Sequence, residues 1–279
     1  MSEELSHGHD HEYTAEDSEA ELLHANQGLT QFQSAGAEGR SPSSTAKAVE
    51  LVCPFATQAS SGLQMPTRGN YRYGYPEGVV VHATDGRSYK GDSDIEATIK
   101  GGIASNQAYF AISRTGKIYQ THPLDRWGSH AGRSWEKDLG SWLSSKLLGI
   151  EVASAGILTK TSKGYEPWWN PKSSSKNKTY YTEEQVRYVE KVHNITKEGY
   201  YLKFSDEQED SLFKLVKWLE TNNPDVFSPL RVFGHDEVAV FGKPGEPRDK
   251  ELGRKQDPGG GLSTVMFEFR DKLLTAGIA

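Results

Sequence analysis

Two histidines in this chain close apolar runs, and an aspartate stands in a turn rich in glycine and proline. Val79-Val80-Val81-His82 ends in Thr84-Asp85-Gly86, and Leu230-Arg231-Val232-Phe233 leads through Gly234 to His235. Asp257 sits in Lys255-Gln256-Asp257-Pro258-Gly259, a loop able to fold back toward a strand end. Two neutral imidazoles and one carboxylate suit zinc, leaving a singly positive centre with a fourth position open to water. Zinc held this way brings the pKa of a bound water to about 7. Leu147-Leu148-Gly149-Ile150-Glu151-Val152 adds a carboxylate inside an apolar run, which is costly unless the acid has a partner or a task. A carboxylate beside such a metal can handle the proton of a metal-bound water. Singly, each residue is ordinary, since strand-end histidines are commonly structural and Asp-Pro-Gly is a common turn. Their weight comes from the set.

The elements that must position these residues read as alternating strands and helices. The runs at 79–82, 147–152 and 230–233 are buried strands. Ser93-Asp94-Ile95-Glu96 reads as a capping box before a helix over Asp94 to Ala104, with Ile95, Ile99 and Ile103 on one face. Residues 108–112 and 117–120 flank Arg114-Thr115-Gly116 and predict a hairpin. Ser205-Asp206-Glu207-Gln208 caps a helix with the stripe Leu212, Leu215, Val216 and Leu219, ending at Asn222-Asn223-Pro224. A last helix over Thr264 to Leu274 places Met266, Phe269 and Leu273 together.

At 279 residues, 35% hydrophobic and 25% charged, the chain suits one globular domain with appendages. No apolar run approaches the roughly 18 residues of a membrane span, and the N-terminus lacks the pattern of a secretory signal. Cys53 is the only cysteine, so no internal disulfide forms. Residues 1–68 hold ten acidic against three basic side chains, which leaves the rest near neutrality and gives no field for nucleic acid. We read 1–68 as an acidic, largely extended, flexible arm, with a short helix around Asp17–Ala25, and 69–279 as the domain. His7, His9 and His11 read as a solvated tail. Residues 155–203 read as an elaboration that borders a groove or buries Trp168 and Trp169. His122 and His193 read as structural or surface residues.

VVVHATDG (79–86), WGSHAGRSW (127–135), LLGIEVASAG (147–156), GHDEVA (234–239) and GRKQDPGG (253–260) follow one another in the order found in zinc N-acetylmuramoyl-L-alanine amidases of the amidase_2 type. That group resembles a phage lysozyme and the peptidoglycan recognition proteins. The resemblance covers about 75–274 and implies an α/β (α+β) fold with a single mixed central sheet flanked by helices. It also implies that His82, His235 and Asp257 hold Zn²⁺, that Glu151 handles the water proton, and that Lys255 stabilises the oxyanion. His130, Trp127 and Tyr109 would line the substrate groove. The chain departs from the family in having His82-Ala83-Thr84 at the first ligand and a long segment between Glu151 and His235.

The implied activity is cleavage of the bond between N-acetylmuramic acid and L-alanine in peptidoglycan. A recognition module that holds muropeptides without cutting them is the alternative, but non-catalytic relatives typically lack the third ligand that Asp257 supplies here. An enzyme made without a signal peptide must reach the wall by another route. An antibacterial effector passed through secretion machinery, with a protective inhibitor (immunity) protein in the producer, is one setting. A phage endolysin and a cytoplasmic recycling amidase are the others.

Overall fold

The computed structural model describes residues 48–60, 64–86, 91–171, 178–190 and 197–276. Strands β1 (Thr57–Gln58), β2 (Gly69–Asn70) and β3 (Val79–Ala83) precede helix α1 (Asp92–Ala104). The chain continues through β4 (Phe110–Ile112), β5 (Ile118–Gln120), β6 (Arg126–Trp127), β7 (Trp135–Glu136), β8 (Gly140–Ser141) and β9 (Leu148–Val152). Then come β10 (Ile157–Thr161), β11 (Gly164–Pro167), β12 (Val186–Val189), β13 (Gly199–Leu202) and α2 (Asp206–Asn222). Strand β14 (Val232–Gly234), the single turn α3 (His235–Val238) and α4 (Met266–Thr275) complete it.

Six strands form a mixed central sheet in the order β1-β5-β4-β9-β3-β14. Strands β4, β9, β3 and β14 are parallel neighbours, while β5 returns antiparallel to β4 through the predicted hairpin. Side chains alternate across the sheet with a period of two. Val79, Val81, Leu148, Ile150 and Val152 therefore share one core cluster with the stripes of α2 and α4. The other face meets Ile95 and Ile99 of α1, and Val80 packs with Ala131, Leu143 and Leu147. Glu151 lies between Ile150 and Val152 and is paired in register with His82 of β3. Both thus point away from the α2–α4 core, which is why an acid is tolerated in so apolar a strand.

Helix α2 begins with the expected capping box, Ser205 and Gln208 each bonding the other's main chain. The start of α1 differs from expectation. Its N-cap is Gly91, without a side-chain cap, and Asp92 accepts hydrogen bonds from the Ser113 and Thr115 hydroxyls at 2.6 Å each. A tertiary contact has displaced the local box.

The folded body also begins before Gly69. Cys53 and Met65 are buried, β1 extends the central sheet, and the Asn222 side chain pairs with both main-chain groups of Glu50. These residues dock singly in extended chain, so they carry no apolar periodicity. The 155–203 elaboration folds as a second, antiparallel sheet, β11-β10-β13-β12, around Leu158, Tyr165, Tyr181, Val186 and Leu202. His7, His9, His11, the 17–25 helix and His193 lie outside the described residues. Among the described residues, no helix is long and apolar enough to cross a membrane.

Candidate active site

His82 stands one residue before the end of β3, and His235 opens α3 directly after β14. The loop carrying Asp257 is tied to α3 by the Asp236 amide, which donates to the Asp257 carbonyl at 2.8 Å. The result is a tight triangle. His82 Nδ1 lies 3.0 Å from His235 Nδ1, and Asp257 Oδ2 lies 3.3 Å from the first and 3.2 Å from the second.

The outer bonds of the two rings fix which atoms carry protons. His235 Nε2 is 3.1 Å from the Ala131 carbonyl, which can only accept, so a neutral ring there carries its proton on Nε2. His130 Nε2 likewise faces the Leu147 carbonyl at 2.9 Å, which leaves His130 Nδ1 as an acceptor for His82 Nε2 at 3.1 Å. A neutral ring at 82 then also turns a bare Nδ1 inward. Three lone-pair groups, all buried, converge with no proton between them. Donors bonded tetrahedrally to zinc at about 2.0–2.1 Å stand roughly 3.3 Å apart, so the triangle fits that ion in both chemistry and size.

The charges agree with this arrangement. Burial lowers His235 to about 4 and keeps it neutral against the pull of Asp257. Burial pushes Glu151 up to about 7, with His82 and Lys255 opposing and Asp257 adding to the rise. Its Oε2 is buried with no hydrogen-bond partner among the described residues. A carboxyl poised near neutrality beside an ion site suits proton transfer. These groups line a cavity of about 330 Å³ whose walls include Thr98, Gly102, Tyr109 and Arg254.

The Amidase_2 family profile, described as N-acetylmuramoyl-L-alanine amidase, matches residues 72–260. The chain belongs to this family. The matched segment is more than half the chain and contains every member of the His82, Glu151, His235, Lys255 and Asp257 set. The family's reaction is hydrolysis of an amide bond in peptidoglycan. A comparison with curated proteins found no match. Among solved structures, the chain is similar to a selenomethionine derivative of AmpD, with 18% identity and a TM-score of 0.45 over 79% of this chain and 97% of that one. The endolysin LysCS from Clostridium intestinale gives 15% and 0.41 over 81% and 98%. AmiD from E. coli, in complex with the substrate anhydro-N-acetylmuramic acid-L-Ala-D-gamma-Glu-L-Lys, gives 17% and 0.42 over 74% and 61%.

In this amidase domain, His82, His235, Asp257, Glu151 and Lys255 all reach one cavity, and Tyr109 joins its wall with its hydroxyl on the Thr98 carbonyl at 3.1 Å. His130 also lines the cavity, with both ring nitrogens engaged, Nδ1 by His82 and Nε2 by the Leu147 carbonyl. One expected groove residue is placed differently. Trp127 is buried in β6, which pairs with β2, and is not part of the cavity wall, because its large apolar ring is absorbed in packing.

Asp85 was read only as a turn residue, yet its carboxyl lines the cavity and is raised well above its ordinary range by burial and by Asp257 and Glu151. Its side chain occupies the space where any Cβ at Gly156 would stand, 1.7 Å from Asp85 Oδ1. The glycine at 156 is the sequence trace of that contact. Arg254 was also missed. It donates to the carbonyls of Val240 at 2.8 Å and Arg133 at 2.9 Å, beside Lys255.

Proposed function

We propose that the protein cleaves the amide joining the lactyl group of N-acetylmuramic acid to L-alanine in bacterial peptidoglycan, using zinc held by His82, His235 and Asp257. The supporting observation is the convergence of three bare acceptors within 3.3 Å beside the unpartnered Glu151 Oε2. Zinc bound there supplies Lewis acidity toward the carbonyl and a water of lowered pKa. Glu151 accepts the water's proton as the new C–O bond forms and returns it to nitrogen as the C–N bond breaks. Lys255 brings a positive charge to the cavity, where the oxyanion develops. The products are a lactyl carboxylate and a stem peptide with a free L-alanine amine.

Mass spectrometry of peptidoglycan digested by the protein, with a chelated sample and Glu151→Gln alongside, tests this reading. Free stem peptides beginning with L-alanine should appear, vanish on chelation and fall about 10²–10⁴-fold in the variant. Intact muropeptides that merely co-purify would replace the enzyme with a binding module.

We further propose that the protein is delivered through a secretion machine into a rival cell that lacks a protective inhibitor, with the acidic segment at residues 1–68 as a candidate delivery segment, the alternative being release by phage lysis. Growth arrest should follow periplasmic but not cytoplasmic expression. No arrest from the periplasm would favour recycling of wall fragments.

A further inference from the structure

The segment 130–133 touches all three ligand-bearing elements at once. The His130 ring accepts from His82 Nε2, and the Ala131 carbonyl accepts from His235 Nε2. Arg254, three residues before Asp257, donates to the Arg133 carbonyl at 2.9 Å and to the Ala131 carbonyl at 3.4 Å. The segment itself is pinned from behind, since Ser144 Oγ accepts from the amides of His130 at 3.1 Å and Ala131 at 2.9 Å. The His130 side chain packs against Gly149 of the central sheet, where a Cβ would come within 2.6 Å of its Cγ. Strand β9 thus leaves a side-chain-free seat for the ring one residue from the Ile150–Glu151 pair.

We propose that His130 is a positioning residue that sets the proton on His82 Nε2, and that its segment is the common frame aiming both imidazoles and the Asp257 loop at one point. The chain of donors starts from the Leu147 carbonyl, which can only accept. It therefore forces His130 Nε2–H, then a bare His130 Nδ1, then His82 Nε2–H, and finally a bare His82 Nδ1 facing the cation site. The inference rests on the reading of the triangle as a cation site, and the experiment separates the two.

Zinc is titrated into the full-length protein against a chelating dye, in wild type, His130→Phe, His130→Asn and Gly149→Ala. Removal of the acceptor in His130→Phe should weaken zinc binding about 10- to 100-fold. Asn, whose Oδ1 can stand in for the imidazole Nδ1, should recover much of the loss. Gly149→Ala should weaken binding by displacing a ring it does not replace. Unchanged affinity in a folded His130→Phe overturns the proposal, whereas no zinc binding by wild type overturns the reading of the site. Nitrogen-15 spectra of the imidazoles in zinc-free wild type decide the matter even if the variants do not fold. Protonation of His82 at Nε2 is the expected result, and a ring protonated at Nδ1 contradicts it.

Discussion

The central sheet and the accessory sheet are built on opposite plans. Strands β3 and β4 of the central sheet are buried at every position, and β9 at all but Glu151, as parallel strands covered on both faces must be. Strands β10 and β12 of the accessory sheet mix buried and exposed positions around a small core of their own. Chemistry sits where the central strands end. The accessory sheet contributes no ligand, but it braces the two loops that do the most. Trp168 Nε1 donates to the Asp85 carbonyl at 2.8 Å. Arg187 donates to the Gly260 carbonyl at 3.0 Å and also to that of Leu262, while the Tyr201 ring lies where a Cβ at Gly259 would stand 2.4 Å away. One sheet supplies the reacting groups, and the other limits the movement of the loops carrying Asp85 and Asp257.

Acid should separate the regions most strongly. His122 is buried in the central body against Phe110, and burial lowers it to about 4 from its ordinary 6.5. Between those values the unfolded chain binds a proton that the folded chain refuses, so stability falls as pH drops from about 6.5 toward 4 and levels off below. The loss from this one group is on the order of 3 kcal/mol. Denaturant titration of zinc-free protein should show the slope, and His122→Phe should remove one proton's share of it. An unchanged slope would place the acid sensitivity elsewhere.

A smaller effect should come from the accessory side. Arg187→Ala removes charged hydrogen bonds to the loop after Asp257 and should cost about 1.5–3 kcal/mol. If the accessory sheet is a brace, zinc affinity should fall several-fold as well. A variant that loses stability but keeps wild-type zinc affinity would show the two sheets to be independent.

Strand periodicity made much of the site legible. His82 at the end of an apolar run and Glu151 inside one were visible because a period of two admits an acid on one face of an otherwise apolar strand. The α2 capping box was visible because its partners are three residues apart. The α1 start was not, because Asp92 answers to hydroxyls on a distant loop. The accessory sheet was hidden for a similar reason, since β10 pairs with β13 across some forty residues of polar, tyrosine-rich chain. The bonds that orient the ligand histidines end on the Leu147 and Ala131 carbonyls, and a main-chain acceptor has no residue type to announce it. Cys53 and Met65 were lost to the arm because isolated buried residues leave no pattern.

Zinc K-edge X-ray absorption on the purified, full-length protein tests the central claim most directly. The account predicts one retained zinc per chain, nitrogen and oxygen neighbours at about 2.0–2.2 Å, and outer-shell scattering from two imidazoles. Loss of that imidazole signal in a folded His82→Ala, His235→Ala double variant completes the prediction. A protein that retains no zinc after loading, or a zinc shell without imidazole, would contradict it.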